Sequence, residues 1–325
     1  VLHRPVILAA DNGHSTDFRK NIKYDCVVMI QKEEKTISLV LGSGGARGLA
    51  HIGVIHWLEE NGFKIESISG CSMGALIGGI YAAGKLDEFE QWVSAINKVD
   101  IVTLLDISWG TSGLVKGDKI INTLVDLVGE QMIEDLPISF TATAADVKSE
   151  KEIWIESGKL FDAIRASISL PLFFTPFEHN GVDLIDGGVL NPVPIAPTFG
   201  DETELTIAVN LGGVPEPEEV DNTKPEITEA SSPLHEKVMN FVSSIKPSEL
   251  DADSHDWGAY DIANQAFDAM QSTIARQKIA AYPPDHVIEI SRNACGTLEF
   301  DRAAEMIELG YKKAQQSLSG LLNKE

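Results

Sequence analysis

Cysteine is scarce in this chain. Cys26, Cys71 and Cys295 are the only three in 325 residues, odd in number and far apart. That excludes a disulfide framework and any metal centre built on cysteine spacing. Thiols left free predict a reducing compartment, most simply the cytoplasm. Basic residues are also few: 26 Lys+Arg stand against 49 Asp+Glu, a formal charge of −23. A surface of that sign argues against nucleic acid, whose phosphates demand a basic partner, and against charge-driven binding to an anionic bilayer. Any contact with a membrane surface is therefore expected to be apolar, local and transient. No apolar run approaches the ~20 residues that a spanning helix needs. The amino end, Val1 to Asp25, lacks the apolar core of a signal peptide.

What remains is an ordinary globular composition, 43% hydrophobic and 23% charged, long enough to bury a substantial core. The pattern predicts a weakly ordered extension over 1–34 and a core over 35–213. An acidic, mobile insertion over 214–255 follows, and a helix–strand–helix over 256–325 completes the same domain. Within the core, Thr36 to Leu41 reads as a buried strand, Gly42 to Gly48 as a turn and Leu49 to Asn61 as a helix. Ile65 to Ser69 is a second strand and Ala75 to Ala83 the start of a second helix. Helical period marks 86–98 and 116–127. Strands are expected over 140–146, 152–156, 181–185 and 205–210, with a helix at 160–167 cut short by Pro171. After the insertion, whose stretch 234–245 has an amphipathic period, come helices at 258–281 and 301–322 flanking a strand at 286–290. Repeated β-turn-α units point to an α/β fold, a three-layer α/β/α sandwich on a mostly parallel sheet.

Three glycine-rich sites fall at the ends of separate strands, and in an open parallel sheet such ends converge on the ligand side. The first is Gly42-Ser43-Gly44-Gly45-Ala46-Arg47-Gly48, whose glycines let successive N–H groups line one concavity, as an oxyanion hole requires. The second is Gly70-Cys71-Ser72-Met73-Gly74, a serine at a tight strand-to-helix turn where a bulky residue two places to either side would clash. The third is Asp186-Gly187-Gly188, a carboxylate on a strand end followed by two flexible residues. The first loop is not a dinucleotide fingerprint, because Arg47 stands at the sixth position from Gly42. Nor is it a P-loop, because Leu49 and Ala50 follow Gly48. Cys71 is a rival nucleophile beside Ser72, although the pattern centres on the serine.

Taken together, the chain resembles the patatin-like phospholipases in their short bacterial form. That family carries a GxGxxRG block, a GxSxG elbow and a later DG[AG] block in this order. The likeness extends to Ala166-Ser167-Ile168-Ser169-Leu170-Pro171 and to Asn191-Pro192-Val193-Pro194. The resemblance implies a lipid acyl hydrolase of phospholipase A or lysophospholipase type, acting on a lipid or ester substrate through an acyl-enzyme. It implies Ser72 as nucleophile and Asp186 as proton acceptor, a Ser–Asp dyad in place of a triad. Gly44, Gly45 and Ala46 would supply the oxyanion hole with Arg47 beside them, and neither metal nor other cofactor is called for. A weak base such as aspartate would need its proton affinity raised by burial. Two other readings stay open at this level. One is an α/β-hydrolase-type esterase or thioesterase with a triad completed by His235, His255 or His286. The other is a non-catalytic regulatory protein in which Ser72 is structural. His51, one turn after the glycine loop, reads as packing. An oligomeric state is not legible in the sequence.

Overall fold

The computed structural model describes residues 34–104, 115–217 and 259–322. The expected extension before Glu34 and the amphipathic stretch at 234–245 lie outside the described residues. The first strand, β1 (Lys35–Leu41), alternates Ile37, Leu39 and Leu41 with Ser38 and Val40, all of them buried. A period of two places these sets on opposite faces of a sheet, so both faces are covered. The same alternation runs through β2 (Phe63–Cys71), β3 (Ser139–Asp146) and β7 (Leu205–Gly213). One face gathers Ile37, Leu39, Leu41, Ile68, Phe140, Ile207 and Val209 into the main core. The other carries the short polar side chains Ser38, Ser67, Ser69, Thr141 and Thr143, and only a small apolar cluster of Val40, Val193, Ile195, Ala208 and Ala275.

Helices α1 (Ala50–Glu60), α2 (Met73–Ala82) and α6 (Leu160–Ser167) pack on the main core, joined by the last helix, α8 (Ala303–Leu322). Glycines let α1 and α8 touch backbone to backbone. A Cβ on Gly53 would lie 1.9 Å from the Ile307 carbonyl oxygen, and one on Gly310 1.9 Å from that of Ala50. Between α2 and α6 come α3 (Leu86–Ala95), α4 (Lys98–Leu104) and α5 (Asp118–Val128). The 86–98 stretch expected as one helix thus ends at Ala95, where Ile96 turns extended. The long α7 (Ala259–Ala281) lies on the polar face, where Ala275 and Ile279 join the small cluster.

The strands form one mixed sheet in the order β5-β6-β3-β2-β1-β7-β8, in which β3 also pairs with β4. The remaining strands are β4 (Lys151–Ile155), β5 (Phe177–His179), β6 (Val182–Asp186) and β8 (His286–Ser291). Pairs β1–β2, β1–β7, β2–β3 and β7–β8 are parallel, while β3–β4, β3–β6 and β5–β6 are antiparallel. This is the α/β layered fold that the sequence predicts, with β5 as an unforeseen short strand paired to β6.

The register around β3 positions the site. Thr143 pairs with both Trp154 and Cys71, and Ala144 with both Ile153 and Asp186. A strand has only two edges, so β4 takes one of them, and β2 and β6 share the other in succession. Since β2 is parallel and β6 antiparallel to β3, their carboxyl ends meet head on between Thr143 and Ala144.

Candidate active site

Ser72 follows the last residue of β2 and caps α2 with φ 55° and ψ −120°. A non-glycine residue held there stores about 1–3 kcal/mol, and it is kept only because the surroundings leave no alternative. Those surroundings are glycine. A Cβ on Gly70 would lie 2.6 Å from Ala75 N, and one on Gly74 2.0 Å from Leu41 O. The strained turn lifts the Ser72 side chain onto the end of β6. There its Oγ donates to Asp186 Oδ2 at 2.5 Å, with both residues buried.

Asp186 is fully enclosed. Its Oδ1 accepts from Gly188 N–H at 2.8 Å and, at a long 3.9 Å, from the Cys71 thiol. Its own N–H donates to Ser169 O at 3.0 Å. Burial pushes its carboxyl up from 3.8 to about 6, against the opposing pull of the hydrogen bonds from Ser72, Gly188 and Cys71. Gly187 is glycine because a Cβ there would lie 2.2 Å from Thr143 O. Cys71 is buried beneath it. Its thiol is held well above 9, first by that burial and then by the negative charge of Asp186. A thiol kept neutral in this way is a poor nucleophile, which weighs against Cys71 as the rival to Ser72.

The glycine loop runs alongside. Its 3-10 turn, Gly45–Leu49, rests on the residue after Ser72, where a Cβ on Gly48 would lie 2.3 Å from Met73 Cβ. Gly42 N–H donates to Val209 O and Ser43 N–H to Pro192 O. Ala46 departs from the sequence expectation: its N–H is committed to Thr297 O at 2.9 Å. Arg47 is buried and turned away from solvent, its Nε donating to Gly44 O at 3.1 Å. It therefore shapes the loop. Among the described residues, neither the Gly44 nor the Gly45 N–H donates to a backbone acceptor.

Two serines escaped the sequence reading as site residues. Ser167 Oγ accepts the Ser72 N–H at 2.9 Å and donates onward to Thr143 O at 2.7 Å. Ser169 supplies the carbonyl that holds Asp186 N–H, while its hydroxyl is clasped by Arg165 Nη1 at 2.6 Å. Spaced two apart where α6 ends, they grip the backbones of Ser72 and Asp186 respectively. The signal was the Ala166 to Pro171 run, legible as a likeness but not as a function.

Histidine plays another part. His51 is buried, and its Nε2 donates to Gly42 O at 2.9 Å. Burial lowers it to about 4, so the ring is neutral and braces the glycine loop. His286 opens β8, and β8 runs parallel through β7 and β1 to β2. Those registers set it level with Ile68, four residues or about 13 Å short of Ser72 along the strands and about 14 Å across three strand spacings, so it does not reach Ser72 to complete a triad. His235 and His255 lie outside the described residues. Among the described residues, no group of three or more His, Cys, Asp or Glu could hold a metal ion. No helix there is long and apolar enough to cross a membrane.

The family model for patatin-like phospholipases matches residues 39–199. An uncharacterized NTE family protein of Mycobacterium tuberculosis is 38% identical over 328 residues, covering 87% of this chain and 91% of that protein. The lysophospholipase NTE1 of Saccharomyces cerevisiae is 31% identical over 186 residues, which are 55% of this chain and 11% of the yeast protein. The crystal structure of VipD from Legionella pneumophila aligns with 89% of this chain and 67% of that one, at 16% identity and a TM-score of 0.45.

Proposed function

Because the chain belongs to the patatin-like phospholipase family, we propose that it is a serine acyl hydrolase cleaving the carboxylic esters of phospholipids or lysophospholipids. The contact that carries this reading is Ser72 Oγ to Asp186 Oδ2, 2.5 Å long and held in a strained turn. In the first half-reaction Ser72 Oγ attacks the ester carbonyl while Asp186 takes its proton. The tetrahedral oxyanion is met by the Gly44 and Gly45 N–H groups, a kind of donor whose removal typically costs ~10²–10³ in turnover. Collapse breaks the ester C–O bond, and the proton on Asp186 leaves with the alcohol. In the second half-reaction Asp186 deprotonates water, which attacks the acyl-serine; collapse breaks the acyl–Oγ bond, the proton passes from Asp186 to Ser72 Oγ, and the fatty acid is released. The carboxylate is suited to this work because burial brings its proton affinity closer to neutrality.

The likeness to proteins named lysophospholipase supports a single-chain lipid as substrate, and the −23 charge supports a zwitterionic over an anionic headgroup. The test is hydrolysis of p-nitrophenyl butyrate, lysophosphatidylcholine and phosphatidylcholine by the wild type, Ser72→Ala and Asp186→Asn. Both variants should lose activity on all three while melting as cooperatively as the wild type. Full activity in either one rules out the dyad.

A further inference from the structure

Two side chains of α7, three residues apart, take hold of the two ends of the glycine loop. Gln271 is buried, and its Nε2 donates to Ser43 Oγ at 3.2 Å. One turn earlier, Asp268 Oδ1 accepts from Arg47 Nη2 at 3.2 Å. Residues i and i+3 share a helix face, so both holds come from one rigid edge. Arg47 carries its hold inward, with Nε on Gly44 O and Nη1 on Arg292 O. Gly44 and Gly45 are thus slung between two tethered neighbours. The Gln271 amide also occupies the space a side chain at 188 would take. A Cβ on Gly188 would lie 2.1 Å from Gln271 Nε2, 2.8 Å from Ser43 Oγ and 3.0 Å from Asp186 Oδ1. One carboxamide therefore meets both the glycine loop and the turn that follows Asp186.

Packing alone does not call for these residue types. A buried carboxamide and a half-buried ion pair each cost desolvation that an apolar side chain of equal volume avoids. What they add is direction, because each fixes one partner atom at one distance.

We propose that Gln271 and Asp268 are positioning residues, which from one face of α7 set where the Gly44 and Gly45 N–H groups point relative to Ser72 Oγ. The kinetic consequence rests on the hydrolase reading above, whereas the loop geometry does not.

The test uses the full chain with Gln271→Met, Asp268→Asn and the double variant, since Met keeps the side-chain volume and removes the donor. Turnover of p-nitrophenyl butyrate should fall roughly 10- to 100-fold in each, the cost of a small misplacement in an active site. KM should stay within about twofold, as when an interaction made only in the transition state is lost. Amide hydrogen exchange at Ser43 and Ala46, both hydrogen-bonded in the loop, should quicken on the order of tenfold as the local opening free energy falls. Exchange across β2 should not change. Wild-type turnover with unchanged loop exchange overturns the proposal. So does a loss of turnover accompanied by faster exchange throughout the core, which marks a merely structural role. If the wild type itself hydrolyses no ester, the hydrolase reading fails, and loop exchange alone decides the role of α7.

Discussion

Cys71 and Asp186, 115 residues apart in the chain, occupy consecutive pairing positions along one edge of β3, opposite Thr143 and Ala144. The arrangement needs one parallel and one antiparallel partner on the same edge, their carboxyl ends abutting. A sheet of parallel strands alone would set Ser72 and an aspartate on neighbouring strand ends side by side. Here the strands point at each other, and the strained turn at Ser72 closes the remaining gap. The short Ser72–Asp186 contact is thus a property of the backbone path, and single side-chain changes around it should alter chemistry more than fold.

The first expectation concerns pH. Asp186 accepts a proton only as the carboxylate, and burial raises it to about 6. The acid limb of kcat/KM should therefore bend near pH 6 and fall tenfold per unit below it, with a plateau above about 7. A limb bending near 4 in a pH series on p-nitrophenyl butyrate would mean that the carboxylate is solvated during turnover.

The same shift makes a statement about stability with the opposite sense. A carboxyl raised in the folded state favours folding most below its unfolded value near 3.8, and that contribution is lost as pH rises through about 6. At pH 8 the buried charge then costs up to about 3 kcal/mol. Asp186→Asn, which removes the charge, should melt higher than the wild type at pH 8. The gap should shrink as pH falls towards 4, as followed by thermal unfolding in matched buffers.

Ser167→Ala would leave the buried Ser72 N–H without its acceptor. An unsatisfied buried donor costs about 1–3 kcal/mol, and the nucleophile loses its fixed orientation. Turnover should drop about tenfold or more with KM little changed, whereas Cys71→Ala should leave turnover within a few-fold. Steady-state kinetics of the two variants side by side separates the roles.

Much of this site was legible in the residues. Glycines at 70 and 74 announce a turn too tight for side chains, and a carbonyl oxygen lies 2.5 and 2.0 Å from where their Cβ atoms would be; Gly187, expected only to be flexible, is met in the same way by Thr143 O at 2.2 Å. Strand and helix periods in the core were equally plain, because Ile37, Leu39 and Leu41 alternate where Ile164 and Phe161 recur at helical spacing. The three-residue strand β5 was not legible, since a run that short carries no period. Nor was the commitment of the Ala46 amide to Thr297, a contact between residues far apart in the chain. The grip of Ser167 and Ser169 was hidden for a related reason: a serine after a helix reads as a cap or a turn until its distant partners are placed.

Glycine at 53 makes a separate, architectural claim. Gly53→Ala would drive a methyl group against the Ile307 carbonyl and prise α8 from α1. Overpacking of this kind costs typically 1–3 kcal/mol. The melting temperature should fall by several degrees, while the protein still folded at low temperature keeps wild-type turnover per active site. A variant as stable as the wild type would show that the two helices do not meet as tightly as described.

The most direct measurement is intact-mass detection of the adduct formed with a fluorophosphonate ester. The wild type should gain one phosphonyl group, mapped by peptide sequencing to Ser72, with none on Ser72→Ala and a rate at least about 10²-fold slower on Asp186→Asn. Labelling of Asp186→Asn at the wild-type rate, or an adduct on a residue other than Ser72, would contradict a serine activated by that aspartate.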